Sequence, residues 1–301
     1  MMLDFQAIDK LIRAGRIAKE VRELAIRYAK PGMKLLDLAE YVEKKIIELG
    51  GAPAFPVNIS INEVAAHYTP VIDDELVIPE GSVVKIDIGV HIDGYIADTA
   101  ATVSFNPAYD GLLEAAQTAL EKALEAVRPG IPVNRIGKII CETIESMGYK
   151  PIRNLSGHSI DHYMIHGGKS IPNYYDILTR WKLRDGVYAI EPFATTGVGL
   201  VREGSIVTIY SLIKHRKTRM TLQEKRLFDK IWSERRTLPF TERWYVGLFK
   251  SKEGLRNTLA SMLKKKIIHG YPVLVERSNG IVAQFEHTFI INGSDIIITT
   301  K

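Results

Sequence analysis

The stretch Val83-Val84-Lys85-Ile86-Asp87-Ile88-Gly89-Val90-His91-Ile92-Asp93-Gly94-Tyr95-Ile96-Ala97-Asp98-Thr99-Ala100-Ala101-Thr102-Val103-Ser104-Phe105 decides how this chain folds. Val83 to Val90 and Tyr95 to Phe105 are rich in residues that favour strands, and Asp93-Gly94 between them is a strong two-residue hairpin turn. With that turn Ile92 pairs with Tyr95, Gly89 faces Asp98, and Asp87 faces Ala100. Directly opposed residues share a face, so Asp87 and Asp98 are diagonal neighbours on one face. Two carboxylates that close repel each other unless a cation lies between them or a proton is shared. Gly89 and Ala100 leave room beside them for something to bind. Two solvent-facing aspartates are the alternative, although Ile86, Ile88, Ile96 and Ala97 make a fully exposed face hard to sustain.

Outward from the hairpin, the chain reads as two related halves. Residues 4–29 carry apolar residues at helical spacing and stop at Pro31-Gly32; a second helix runs from about Asp37 to Leu49 and ends at Gly50-Gly51. The run Lys30-Pro31-Gly32-Met33 through Ala39 to Gly50 aligns without gaps with Arg128-Pro129-Gly130-Ile131 through Gly137 to Gly148, at a constant offset of 98 residues. Each copy has a basic residue, Pro-Gly, an amphipathic helix and a closing glycine, as a duplication would leave. Each half then offers an apolar strand that starts at glycine and ends on a carboxylate: Gly81 to Asp87, and Gly186 to Glu191. A carboxylate on a buried strand is costly unless it is paired or ligates a metal.

Two further segments carry chemistry. Asn154 to Gly168 holds three of the eight histidines, His158, His162 and His166, and its glycines favour a loop over a helix. Each is either a ligand for a divalent ion or a hydrogen-bonded structural histidine. In Val282 to Ile290, period-two alternation sets Gln284, Glu286 and Thr288 on one face, and Phe285, His287 and Phe289 on the other. Glu286 is thus a candidate site residue and His287 is not. Asp87, Asp98, His158, Glu191 and Glu286 together offer one nitrogen and several carboxylates, a donor set suited to two hard or borderline divalent ions such as Mn, Fe, Co or Zn.

Composition sets outer bounds. The 301 residues are 46% hydrophobic and 25% charged with a net charge of +5, ordinary for a globular chain. No apolar run is long enough to span a membrane and no basic-then-apolar leader opens the chain, so a cytoplasmic protein is expected. The single Cys141 excludes a disulfide framework and reads as a small buried hydrophobe. Basic clusters at Lys214-His215-Arg216-Lys217-Thr218-Arg219 and Lys264-Lys265-Lys266 are either solvated faces or an attraction to an acidic partner such as RNA. From about 214 to 269 the texture is helical and charged, with Leu222–Trp232 and Leu255–Ile268 as helix candidates; strand texture resumes at Val273.

These segments resemble the methionine aminopeptidases, within the pita-bread fold shared with prolidases and creatinase. Ala-His-Tyr-Thr-Pro (66–70), Ser-Gly-His (156–158), Ile-Glu-Pro-Phe (190–193) and Gln-Phe-Glu-His-Thr (284–288) all match family segments. The resemblance covers essentially the whole chain and implies an α+β pita-bread fold: two pseudo-symmetric halves around a curved antiparallel sheet, with a helical insertion. It divides the chain into a catalytic domain of residues 1–213 and 270–301 and an inserted helical subdomain of 214–269, in which Thr237-Leu238-Pro239-Phe240 and Arg243-Trp244 resemble the type II enzymes, archaeal rather than eukaryotic in lacking a long amino-terminal extension.

The implied activity is removal of the initiator methionine from nascent chains by a metal-bridging hydroxide. The implied roles are Asp87 on one metal, His158 and Glu191 on the other, and Asp98 and Glu286 bridging both. Glu191 would also shuttle a proton, His166 would stabilise the oxyanion, and His67 would contact substrate near the scissile bond. Phe55, Ile165 and Tyr271 would line the methionine pocket. A monomer is expected, with ribosome docking through the basic insertion as a hypothesis. Prolidases use the same five ligand types but usually carry a large extra amino-terminal domain, for which a first ligand at position 87 leaves no room. A catalytically dead relative that binds RNA or protein is the rival of a different class; such relatives lose metal ligands, and all five are present here.

Overall fold

A computed structural model describes residues 3–213 and 219–301; the basic run at 214–218 lies outside the described residues. In chain order the helices are α1 (Phe5–Tyr28), α2 (Leu35–Glu48), α3 (Asp110–Ala126), α4 (Val133–Ser146), α5 (Leu222–Arg235) and α6 (Lys252–Lys264). The strands are β1 (Ala52–Pro53), β2 (Asn58–Ile61), β3 (Val64–Ala66), β4 (Val83–Ile92), β5 (Tyr95–Ser104), β6 (Lys150–Pro151), β7 (Ser156–Ile160), β8 (Ser170–Pro172), β9 (Gly186–Ile190), β10 (Phe193–Thr195), β11 (Val201–Leu212), β12 (Ile268–Glu276), β13 (Val282–Gln284), β14 (Glu286–Asn292) and β15 (Asp295–Ile298).

The main sheet runs β1-β4-β5-β14-β9-β7-β8 with every neighbouring pair antiparallel. β14 lies at its middle, and beside it the β4–β5 hairpin has the register read from sequence: Ile92 pairs Tyr95, Gly89 pairs Asp98, and Asp87 pairs Ala100. Asp93 and Gly94 both take positive φ, 49° and 86°, as a turn matched to strand twist requires. One face of this sheet is packed by helices. Ile86, Ile88 and Ala97 join the buried residues of α1 and α2, while Tyr188, Ile190 and Phe289 join those of α3 and α4. Each fully buried Ile or Leu there contributes roughly 1.5–3 kcal/mol.

The two halves repeat. α2 and α4 are both 14 residues long, and their first and last residues differ by the same 98 positions. Gly32 and Gly130, before the helices, hold φ of 79° and 82°. Between β11 and β12 the chain builds α5 and α6 around a core of its own, which includes Leu227, Ile231, Phe240, Leu255 and Met262. α5 opens on a capping box between Thr221 and Glu224.

Three local expectations need correction. α6 stops at Lys264, because Ile268 already belongs to β12, where it pairs with Leu212. β12 therefore begins five residues before Val273; Pro272, which the ladder tolerates at an irregular pair with Val207, hides its start. Cys141 is half-buried rather than fully buried. Among the described residues no helix is long and apolar enough to cross a membrane.

Candidate active site

The antiparallel register delivers the site. On β4, Asp87 is level with Ala100 of β5, and Ala100 is level with Glu286 of β14. His287 pairs Ile190, so Glu191 follows at the level of Glu286, and Thr288 pairs Ala189, which in turn pairs His158 of β7. Because directly paired residues share a face, Asp87, Asp98, Glu286, Glu191 and His158 emerge on the same side of one sheet, opposite the helices. All five line one cavity of about 390 Å3. Ligand atoms of Asp98, His158 and Glu286 lie within 4.8 Å of one another. His158 Nε2 is 3.5 Å from Asp98 Oδ2 and 3.8 Å from Glu191 Oε1.

The electrostatics of this cluster call for a cation. Burial pushes Asp98 up to about 7 and Asp87, Glu191 and Glu286 well above the usual carboxylate range; mutual repulsion adds to the rise in the last three. Asp87 Oδ1, Asp98 Oδ1 and Glu286 Oε1 are buried with no hydrogen-bond partner. Buried acceptors are normally satisfied, so three converging orphans leave a position that a divalent ion fits. Burial lowers His158 to about 4 and keeps the ring neutral, so its contacts with the carboxylates are not ion pairs. Its Nδ1–H donates to the Ser159 carbonyl at 3.3 Å, which fixes the tautomer and leaves the Nε2 lone pair facing Asp98 and Glu191. The donor set and its protonation suit divalent metal.

Supporting contacts hold these residues in place. Thr288 Oγ1 accepts from Asp98 N and donates to Asp98 O, both at 2.8 Å. Thr99 Oγ1 donates to the Glu286 carbonyl at 2.8 Å. Gln284 Nε2 donates to Glu191 Oε2 at 3.3 Å, and Asn173 Nδ2 donates to the carbonyls of Glu191 and Leu155, both at 3.1 Å. Gln284 shares the site face through strand alternation, as the sequence indicates; Asn173 carries no sequence signal, since only the folded chain brings it between two strands.

The other predicted residues separate as follows. Phe55, His67, Ile165, His166 and Tyr271 all line the cavity, joined by Leu155, Phe193, Ile209, Pro239 and Leu274, which the sequence reading did not single out. The room beside Gly89 is not free: its Cβ would lie 2.2 Å from the Phe55 ring, so the missing side chain admits Phe55 as a cavity wall. His67 takes a left-handed backbone (φ 68°), and its Nδ1–H donates to the Pro272 carbonyl at 3.2 Å, leaving Nε2 free. Burial lowers its pKa, partly opposed by that carbonyl. The His166 ring stands edge-on to His158 at 4.5 Å between centroids. Desolvation in the cleft, with His158 and His67 nearby, lowers its pKa and keeps the ring neutral. His162 is apart from the site, bonded at 2.7 Å to the Asp93 carbonyl. His287 faces the helices, beside Arg22 (3.2 Å) and Thr300 (2.8 Å).

Comparison with known proteins places the chain in a family. Residues 9–292 match the family model for metallopeptidase family M24. The methionine aminopeptidase of Pyrococcus abyssi is 51% identical over 296 residues, covering 98% of this chain and 99% of that protein. Among solved structures, a thermophilic Arx1 superimposes with a TM-score of 0.85 at 17% identity, covering 99% of this chain and 91% of its own. The Thermotoga maritima methionine aminopeptidase gives 0.72 at 23%, covering 100% and 99%. At those identities the two structures speak for the fold; the sequence match speaks for the activity, metal-dependent removal of an amino-terminal methionine. With a family match across nearly its whole length, and a half-identical relative equally complete, the chain belongs to the methionine aminopeptidases of metallopeptidase family M24.

Proposed function

We propose that Asp87, Asp98, His158, Glu191 and Glu286 hold two divalent cations and that the adjoining cavity takes the methionine side chain. The three orphaned carboxylate oxygens beside a neutral histidine lone pair carry this reading. Strand order supports a division of labour. Asp87 stands at the hairpin end and would hold one cation, His158 and Glu191 stand at the other end and would hold the second, and Asp98 and Glu286 lie between them, where both cations could share them. Co, Mn, Fe and Zn all suit this donor set.

When bound, the cations neutralise the carboxylates, acidify a water molecule and polarise the scissile carbonyl. The chain's own groups do the rest. Glu191, oriented by Gln284, accepts a proton and returns it to the leaving amine. Neutral His166 donates its ring N–H to the carbonyl oxygen as negative charge develops there. His67, with Nδ1–H committed to Pro272, offers Nε2 as an acceptor for a substrate N–H beside the scissile bond. Phe55, Ile165 and Tyr271 supply aromatic and aliphatic contacts for an unbranched thioether.

The test is methionine release from Met-Ala-Ser, with proline-containing controls, after dialysis against chelator and re-addition of Co or Mn. Metal-dependent release that is lost in Asp98→Ala supports the assignment. A folded protein inactive with every divalent ion, or one that cleaves only Xaa-Pro dipeptides, overturns it. We further infer a type II enzyme of archaeal kind, with 214–269 as an inserted subdomain, acting on nascent chains as a cytoplasmic monomer. Size measurement in solution checks the last point, since a stable dimer contradicts it. Docking of the basic insertion at the ribosome predicts salt-sensitive co-sedimentation, and failure to co-sediment at any salt rejects it.

A further inference from the structure

His67 is followed by a run of chain with little secondary structure of its own, and that run is fastened to the segment between β11 and β12. Arg243 uses four of its five N–H groups here. Its Nε donates to the Pro70 carbonyl at 2.8 Å and Nη2 to Thr69 Oγ1 at 3.2 Å, while Nη1 and Nη2 form a fork to Glu43 of α2 at 2.8 and 2.7 Å. The Arg243 and Glu43 side chains are only 5% and 8% exposed. Trp244 Nε1 adds a third bond to Glu43 at 2.8 Å. Farther along the run, Ile72 N donates to Glu242 Oε1 at 3.3 Å, and Lys252 and Arg256 each bond Asp73 at 2.6 Å. Thr69 N is held by Thr208 Oγ1 at 3.2 Å.

We propose that Arg243 is a positioning residue for His67, setting the ring's place in the cavity through Thr69 and Pro70. The physical case rests on what lies on either side of His67. Before it, β3 ends at Ala66, which pairs Leu274 of β12. After it, the anchors at 69–73 come mostly from the segment between β11 and β12. His67 itself bridges the two in a left-handed conformation, which is uncommon for a residue with a side chain. A guanidinium is suited to this task because its planar fork satisfies a carboxylate, a hydroxyl and a carbonyl together; an ammonium has no such plane. The segment thus has a duty at the reaction centre, beyond the wall that Pro239 adds to the cavity.

This inference rests on the reading of His67 as a substrate contact, and the experiment separates the two. Arg243→Lys keeps the buried charge opposite Glu43 and loses the fork. With Met-Ala-Ser and re-added Co, its kcat/KM is expected to fall roughly tenfold at unchanged metal content, as misplacement of a positioning contact does. In the His67→Ala background the same substitution should cost less than about twofold, since coupled residues are non-additive. If Arg243→Lys does not fold, Thr69→Val removes one acceptor, leaves the Glu43 fork in place, and should lower kcat/KM a fewfold with the same non-additivity. The ring 15N resonances of His67 in metal-free protein provide a readout free of catalysis, and should move in either variant. Full, independent losses in the two backgrounds, or unmoved His67 resonances, overturn the proposal. An inactive wild type would sink the reading of the reaction, while the resonances still decide the role of Arg243.

Discussion

The two halves of the molecule use the same helix and different strands. α2 and α4 match residue for residue in length and position, and each follows a glycine of nearly the same φ. Their strands diverge. In the first half, β4 and β5 are ten residues each, joined by a two-residue turn, and Asp87 and Asp98 sit on adjacent strands in fixed register. In the second half, β7 and β9 are five residues each, and between them the chain from Asp161 to Asp185 touches the sheet only as the short edge strand β8. That excursion carries Ile165 and His166 to the cavity and Asn173 to the back of Glu191. One half is a rigid platform for two carboxylates; the other keeps a histidine and a glutamate and gains loop-borne groups. Duplicated packing can be retained by the helices while the strand connections are free to acquire chemistry.

The largest expected effect tests whether both halves serve one centre. Asp98→Ala from the first half and His158→Ala from the second should each reduce metal-dependent methionine release by more than about 100-fold, since even outer partners of metal ligands are worth 10–100-fold. Bound metal per chain, measured alongside, should fall in both. A His158→Ala enzyme within about tenfold of wild type would confine the centre to the first half.

Next in size is a contrast with the segment between β11 and β12. Burial alone would raise Glu224, but bonds from Lys265, Ser261 and the Thr221 N–H lower it to about 2. Its folded pKa lies below its unfolded one, so the stabilisation is present above pH about 4.5 and is lost as pH falls toward 2. Its size is roughly 2–3 kcal/mol, discounted because Lys265 is partly exposed. Acid titration followed by Trp232 and Trp244 fluorescence should show this segment loosening in that window, and Glu224→Gln should flatten the dependence. An unchanged acid profile in the variant rejects the assignment.

Smaller effects sharpen the match between halves. Gly137 of α4 stands where α2 has Ala39, and a Cβ there would lie 2.2 Å from the Tyr174 carbonyl oxygen and 2.6 Å from that of Pro172. Overpacking against backbone costs about 1–3 kcal/mol, and the gain in helix propensity offsets up to about 1. Gly137→Ala should therefore lower stability in urea by roughly 1–2 kcal/mol; a stabilised variant would mean that the excursion does not press on α4. The smallest effect is a symmetry test. Gly32→Ala and Gly130→Ala meet no atom within 4 Å, so each should cost about 1 kcal/mol from its positive φ alone, and by the same amount. Unequal costs would show that the two turns are not equivalent.

The sequence was most readable where structure is local. The hairpin register follows from Asp93-Gly94, and the face of Glu286 from simple alternation. The pairing of α2 with α4 follows from a gapless repeat. What escaped depends on contacts made across the chain. α3 went unread although Leu112, Ala116, Ala119, Leu120 and Ala123 recur at helical spacing on its buried face. The early start of β12 is hidden by Pro272, and only its pairing with β11 reveals it. Gly89 looked like space for a ligand, and the chain's own Phe55 fills it. The five proposed ligands were picked out one segment at a time and given roles by resemblance; register then explains why residues so far apart in sequence share one face.

That shared face limits how such a chain can change its length over evolution. Side chains alternate at every residue, so one residue gained or lost inside β4, β5 or β14 would turn its carboxylates toward the helices. Additions of any size are harmless only in the connections, and the long detours of this chain, after β7 and after β11, lie there. Length variation among related proteins should therefore collect at those two exits and avoid the strands between.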